Sequence, residues 1–241
     1  MTLRPRLGVS ACLLGQRVRH DGDHKRDAFL ATTLGRLVEW VPVCPEVELG
    51  LGIPREPIQL EGHPGAPRLI ALESRTDHTR AMTRFARARV EQLARLGLAG
   101  YVLKAGSPSC GMARVPVHEA RGRSMRRGTR LFARALMERL PLVPVEEEGR
   151  LRDPALRRSF VARVFAYARW QRALAAGMTR RRLRAFHAAH AALLLAHDPA
   201  AARRLDALVA DVERRPFRAL VARYGARLTR ALRTPATARR R

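Results

Sequence analysis

Residues 100–111 read Gly100-Tyr101-Val102-Leu103-Lys104-Ala105-Gly106-Ser107-Pro108-Ser109-Cys110-Gly111. The opening apolar run is short enough for a buried strand. The chain then turns through Gly, Ser and Pro, residues that bend a backbone sharply, and a cysteine closes the loop. The same order recurs twice. Leu7-Gly8-Val9-Ser10-Ala11 leads to Cys12, and Val38-Glu39-Trp40-Val41-Pro42-Val43 leads to Cys44. The chain has these three cysteines and no others. In an open parallel sheet the loops at the carboxyl ends of the strands line one crevice. Three thiols far apart in sequence are therefore expected to meet there.

Working outward, the pattern predicts helices over 26–37, from a cap at Thr76 or Asp77 to Leu96 with Gly97 as stop, and over 129–139. Leu69 to Leu72 reads as a short strand. Gly50 to Gly65, rich in Pro and Gly, reads as an ordered loop, and Leu142-Val143-Pro144-Val145 as a last edge strand. Strands alternating with helices predict an α/β fold, an open and mostly parallel sheet of the Rossmann-like kind. Glu146 to Arg150 reads as a boundary. Beyond it only helices are expected, over 155–176, 179–197, 200–213 and 217–232. Two domains follow, an α/β domain over 1–148 and a basic all-α domain over 149–241.

With 46% hydrophobic residues, 241 residues can bury a sizeable core. No apolar run approaches the ~18 residues of a membrane span, so no membrane partner is expected. No secretory signal is legible, and an odd cysteine count without one predicts a reducing cytoplasm. The net charge is +26. Residues 151–241 carry 22 Lys/Arg against 5 Asp/Glu, a net of +17, whereas residues 1–150 carry 25 against 16, a net of +9. Such a basic segment is the electrostatic footprint of a nucleic-acid binder. A basic solvated surface without a specific partner is the plainer alternative.

Scattered cysteines are often small buried hydrophobes. Their loop setting favours a metal instead. Three thiolates can hold three corners of a [4Fe–4S] cluster and leave one iron open, or can hold zinc; spacing leaves both readings standing. Glu46, two residues beyond Cys44, is placed to move protons beside a bound metal, or else to cap a helix or pair with an arginine. Ser107 is a candidate to orient a reacting water, Ser109 a weaker one, and both suit a plain turn. Lys104 is a candidate anion ligand. His187, His190 and His197 recur at helical spacing, which suits helix packing or RNA contact better than a metal. Tyr167, Trp170 and Phe186 suit either a core or base stacking.

Several of these motifs occur in order in one known family. Val9-Ser10-Ala11-Cys12-Leu13-Leu14-Gly15, Cys44-Pro45-Glu46-Val47, Pro54-Arg55-Glu56-Pro57 with Gln59, and Lys104 through Ser107-Pro108-Ser109-Cys110-Gly111 together resemble the bacterial thiouracil desulfidase family over about residues 5–145. The resemblance implies a [4Fe–4S] cluster on Cys12, Cys44 and Cys110, an open iron that takes the substrate's sulfur, and catalytic roles for Glu46 and Ser107. Asp21, Lys104, Ser109 and His20 become substrate-binding candidates; His20 stands where the family has tyrosine before Asp-Gly.

The second half resembles the helical domain fused behind such domains in RNA thiouridine desulfurases. It does so at Ser159-Phe160, Val164-Phe165-Ala166-Tyr167, Phe186-His187-Ala188-Ala189-His190 and Leu195-Ala196-His197. Ala191 replaces the usual lysine, and related domains continue through further helices, so this copy is expected to be either a fragment or a naturally shortened form. Arg181, Arg182, Arg184, His187 and His190 are the candidate RNA contacts. The implied activity is non-redox removal of sulfur from thiolated uracil, foremost 4-thiouridine in tRNA. The implied partners are thiolated tRNA or a small thiouracil, with no DNA expected. The alternatives are a free 2-thiouracil desulfidase and a non-catalytic iron–sulfur module that binds RNA or senses redox state.

Overall fold

The apolar runs before Cys12 and Cys110 form strands because a parallel strand covered on both faces has no polar side to show, whereas the run before Cys44 forms a partly exposed edge strand that tolerates Glu39 and Pro42. A computed structural model describes residues 4–112, 115–118, 124–128 and 131–233. The order of elements is β1 (Arg6–Ser10), β2 (Glu39–Val43), α1 (Pro45–Glu48), β3 (Ile58–Glu61), β4 (Arg68–Ala71), α2 (Thr79–Arg95), β5 (Gly100–Leu103), β6 (Val115–His118), β7 (Ser124–Gly128), α3 (Leu131–Arg139), β8 (Val145–Glu147), α4 (Pro154–Ala175), α5 (Arg180–His197), α6 (Pro199–Ala210) and α7 (Phe217–Ala231). The chain divides into two units, Met1–Pro141 with Val145–Arg150, and Leu142–Pro144 with Leu151–Arg241.

The first unit carries two sheets. One has the order β2-β1-β5-β8 with every pairing parallel. Leu7 lies opposite both Trp40 and Gly100, so the three cysteine-bearing strands are in near-level register. Their carboxyl ends therefore finish together. The chain leaves β1 for one neighbour and returns to the other through β5, so the order switches direction at β1, where α/β sheets form their crevices. The second sheet has the order β4-β3-β6-β7, with β3 antiparallel to β4 and parallel to β6. Among the described residues no helix is long and apolar enough to cross a membrane.

Close packing at the centre requires a glycine. A side chain at Gly8 would run into the ring of Tyr101 on the neighbouring strand. Tyr101 is fully buried and packs against Phe132 of α3, ring centroids 6.1 Å apart.

Four expectations need correction. The segment 26–37 is not one α-helix but a π turn at Phe29–Thr33 followed by a 3-10 turn at Leu34–Arg36. Two β-branched threonines and Gly35 weaken the α-helical alternative. The loop over 50–65 contains β3, whose Ile58 and Leu60 alternate with Gln59 and Glu61. The last parallel strand begins at Val145 rather than Leu142, because Pro144 offers no N–H to the ladder, and it runs on through Glu146 and Glu147. The pair β6–β7 had no counterpart in the pattern. Of the expected helix over 129–139, residues 129 and 130 lie outside the described residues, as does the chain end from 234.

The second unit is all helix, as the periodicity predicts. Asp153, Thr179 and Asp198 cap α4, α5 and α6 by accepting from N–H groups of their first turns. Trp170, Phe186, Leu194, Leu205, Tyr224 and Leu228 fill the core. Gly225 gives Trp170 room, since a Cβ there would lie 2.7 Å from Nε1 of the indole.

Gly8 gives a direct test of the first core. Gly8→Ala overpacks Tyr101 and is expected to lower stability by about 1–3 kcal/mol. Urea unfolding followed by circular dichroism measures it, and an unchanged midpoint contradicts the packing described.

Candidate active site

Each cysteine is placed by the end of a parallel strand. Cys12 lies in the single helical turn Ala11–Leu14 that follows β1. Cys44 caps α1, and Glu48 reaches back to accept from its backbone N–H at 3.1 Å. Cys110 ends the loop after β5, its N–H donating to Ser107 Oγ at 3.2 Å. The three thiols line one cavity of about 310 Å³ together with Glu46, Ser107 and Ser109. None is in a disulfide; Cys12 and Cys110 are buried and Cys44 is half-buried.

The thiols affect one another. Burial pushes Cys12 up to about 11, and the Cys44 charge adds to that. Burial raises Cys110 further, helped by Glu46 and Cys44. Cys44 is raised by burial as well. Thiols in this state are protonated at neutral pH, and they become thiolate ligands by giving their protons up to a cation. Among the described residues, no three His, Cys, Asp or Glu side chains converge closely enough to hold a single metal ion. Cys12, Cys44 and Cys110 are the residues that could hold a larger group with separated corners.

Glu46 sits beside them with both oxygens committed. Oε2 accepts from Arg55 Nε at 3.1 Å and Nη2 at 2.6 Å. Oε1 accepts from Ser109 Oγ at 2.6 Å, and Ser109 Oγ is 3.1 Å from Ser107 Oγ. The pair is deep, with side-chain exposures of 5% for Arg55 and 11% for Glu46. Arg55 also donates to the carbonyls of Gly52 and Val18, and its own N–H donates to the His20 carbonyl. One guanidinium thus fastens the 18–20 loop, the 52–55 loop and α1 around the carboxylate.

The loop 104–112 is held from below by β8 and the residue after it. Lys104 Nζ donates to Glu148 Oε1 at 2.6 Å, and Ala105 N–H to the other oxygen at 2.6 Å. Met112 N–H donates to Glu147 at 2.6 Å. Lys104 therefore lines the cavity with its charge already paired. His20 lines the cavity too. Asp21 does not: it turns outward to Arg19, whose hydrogen bonds hold its carboxyl well below the usual range.

The candidate RNA contacts divide. His187 and His190 are buried in the helical core, contrary to their reading as surface contacts. His187 bonds Tyr224 Oη and Asp206, and His190 bonds the Phe186 carbonyl while stacking on that ring. Trp170 and Phe186 are likewise core rather than base-stacking surfaces, and Tyr167 packs half-buried against it. Arg182 donates to the carbonyls of Ala176 and Gly177, and Arg184 pairs with Glu213 at 3.0 Å. Arg181 is exposed. Sequence reasoning missed Arg55, Glu147 and Glu148. The signal for Arg55 was its seat between Pro54 and Glu56-Pro57 in an ordered loop, which is faint in a chain where arginine is everywhere.

Comparison with known proteins bears on this geometry. The profile of a family described as 2-thiouracil desulfurase matches residues 7–148. That of a protein family of unknown function, DUF1722, matches residues 192–241. No curated protein matches the chain. A solved structure, that of the [4Fe–4S]-dependent thiouracil desulfidase TudS, is similar at 34% identity and a TM-score of 0.51, over 65% of this chain and 99% of that one.

The ion pair is open to a thermodynamic test. Arg55→Met leaves the Glu46 carboxylate buried without its partner and is expected to cost about 3–5 kcal/mol. Adding Glu46→Gln should restore a large part. Chemical unfolding of the two single variants and the double variant measures the coupling, and additive losses contradict a direct buried pair.

Proposed function

The chain belongs to the 2-thiouracil desulfurase family, and on that premise we propose that it hydrolyses the C–S bond of a thiolated uracil, with 4-thiouridine in tRNA as the substrate. The observation that carries this reading is the meeting of three thiols and one buried carboxylate in a single cavity at the carboxyl edge of a parallel sheet. The donor set suits a [4Fe–4S] cluster: three sulfurs in one space, uncharged until a cation takes their protons. Cys12, Cys44 and Cys110 would hold such a cluster by three corners, and an iron without a protein ligand would supply a Lewis acid for the substrate's sulfur. Exchanging C=S for C=O with water consumes no electrons, so the products are uridine and sulfide and no reductant is spent.

The chain's own residues supply the rest. Glu46 takes a proton at Oε1, since Oε2 is held by Arg55. Ser107 orients the attacking water. His20 and Lys104, on the cavity wall, contact the base or its sugar. The basic helical unit supplies phosphate contacts, with exposed arginines such as Arg181, Arg203 and Arg204 as donors. We place the reaction in the cytoplasm, where thiols stay reduced. The second reading, a free thiouracil as substrate, is favoured by the similarity to TudS, a thiouracil desulfidase.

Two measurements test this. After anaerobic reconstitution, Glu46→Gln should keep the visible absorption of an iron–sulfur cluster and lose about 10²-fold or more in sulfide release, the scale of general acid–base catalysis. Full activity in that variant removes Glu46 from the chemistry. Thiolated tRNA and free thiouracil assayed side by side decide the substrate. Neutralising Arg181, Arg203 and Arg204 together should weaken tRNA binding and reduce the slope of log K against log salt by about one for each phosphate no longer neutralised. Turnover of free thiouracil should stay unchanged. A slope identical to that of the unaltered chain returns these arginines to plain surface charge.

A further inference from the structure

Ser109 is the weakest candidate by sequence, a serine next to a cysteine in a turn. Its surroundings single it out. It is almost wholly buried, at 1% exposure. A hydroxyl has one hydrogen to give and two lone pairs to accept with. The Ser109 hydrogen has three acceptors in reach, Glu46 Oε1 at 2.6 Å, Ser107 Oγ at 3.1 Å and Cys110 Sγ at 3.7 Å, and the closest of them is the Glu46 oxygen. That acceptor is a carboxylate oxygen, and charge-assisted bonds of that length are the strong ones. The hydrogen therefore points at Glu46.

That settles the next link by proton count. The Ser107–Ser109 contact at 3.1 Å allows either oxygen to donate. Ser109 has spent its hydrogen, so Ser107 must be the donor. Ser107 Oγ also accepts from Cys110 N–H at 3.2 Å, which leaves it one lone pair. Every hydroxyl in the row points toward Glu46, and the far end is open to one more donor. Ser107, Ser109 and Glu46 all line the cavity.

We propose that Ser109 is the relay through which Glu46 takes a proton from the attacking water, by way of Ser107. The inference rests on the hydrolytic reading above. A water that donates to Ser107 Oγ passes it a proton as Ser107 passes its own to Ser109 and Ser109 passes its own to Glu46 Oε1. One O–H bond of water breaks and one O–H bond on Glu46 forms. Both serines end as neutral hydroxyls with their direction reversed. The electron pair left on the water oxygen forms the C–O bond to the ring carbon, and the C=S pair moves to sulfur. When the adduct collapses, the C–S bond breaks, the hydroxyl oxygen becomes the C=O oxygen and its proton leaves with the sulfur as HS−. Glu46 then gives its own proton back along the reversed row to the next water, which resets the row. Arg55 is what makes Oε1 the working oxygen, because it occupies Oε2 twice.

A serial relay has a signature that a packing role lacks. In single-turnover sulfide release from the reconstituted full chain, Ser107→Ala and Ser109→Ala should each lose about 10²-fold, and the double variant should lose no more than either alone. Ser109→Thr, which keeps the hydroxyl, should recover most of the rate, and cluster absorption should match in all four variants. The unaltered chain should give a bowed dependence of rate on the deuterium fraction of the solvent, since several protons move together. Multiplying losses, a linear dependence or full activity in Ser109→Ala each overturns the relay. Infrared difference spectra of the cluster-free chain give a readout without turnover. Ser109→Ala should shift a carboxylate stretching band that Glu46→Gln abolishes, and an unshifted band refutes the hydrogen bond on which the relay depends. If the unaltered chain releases no sulfide from any thiolated uracil, the hydrolytic reading fails, and the proposed relay from water falls with it, whatever the infrared spectra show.

Discussion

A carboxylate and a guanidinium buried together are costly to desolvate, and the pair survives only where every remaining donor and acceptor is satisfied. Arg55 and Glu46 come close to that condition. The carbonyls of Val18 and Gly52 take two of the guanidinium hydrogens that Glu46 does not, and Ser109 donates to the other carboxylate oxygen. The satisfaction is also what shapes the site. The residues that complete the pair belong to segments that otherwise share no strand, so the pair gathers loops the sheet only brings near. Its chemical consequence is asymmetry: one carboxylate oxygen is fixed and the other faces the serine row. A carboxylate paired through both oxygens would have no face left for a substrate or a water.

The parallel sheet supplies the coarser constraint. Level register between β1, β2 and β5 brings three strand ends to one edge, and each strand is followed within a few residues by a cysteine. Loops at such an edge are free to differ without disturbing the sheet, because the ladder bonds end before they begin. The stretch from the end of β5 to its cysteine is longer than the corresponding stretches after β1 and β2. The loop 104–112 is tied down by two acidic side chains, Glu148 holding Lys104 and Ala105 and Glu147 holding Met112, while their neighbour Glu146 pairs with Arg150 at 2.8 Å. These glutamates are buried. Their burial is tolerated because backbone N–H groups and cations meet them, the general condition for polar groups in a core.

What was legible follows from what each signal measures. The three strand–turn–cysteine runs were readable because apolar content, turn residues and a rare side chain coincide at each. The helices of the second unit were readable because their spacing is regular; three of the four also begin on an Asp or Thr cap, and the fourth begins after Pro216. Strand β3 was hidden by the Pro and Gly around it, although Ile58 and Leu60 alternate properly. Strand β8 was hidden by the run Glu146-Glu147-Glu148, which looks like a solvated boundary until the partners of Glu147 and Glu148 in the 104–112 loop are known. Those partners are some forty residues away, and no local pattern carries that information. Ser109 ranked below Ser107 for the same reason. Its importance comes from Glu46, a long-range neighbour, and not from the turn it sits in.

The histidines and arginines of the helical unit show the limit of counting. Helical spacing placed His187 and His190 together, correctly, but spacing does not say which face looks inward. Tyr224 and Asp206 meet both nitrogens of the His187 ring, whereas the Phe186 carbonyl meets only Nδ1 of His190, whose Nε2 is buried without a hydrogen-bond partner among the described residues; stacking on Phe186 keeps that ring in the core. The arginines are reduced in a similar way. Arg182 closes the end of the preceding helix, and Arg180 and Arg184 share Glu213. An arginine used as a cap or a partner has fewer hydrogens left for a phosphate, even though its charge still adds to the field. Net charge therefore describes long-range attraction of a polyanion well, and describes the contacts that hold it poorly. The distinction matters for a chain whose basic residues are almost all arginine. Attraction depends on the total, whereas an RNA substrate of the kind proposed would be positioned by those guanidinium groups that the fold leaves uncommitted.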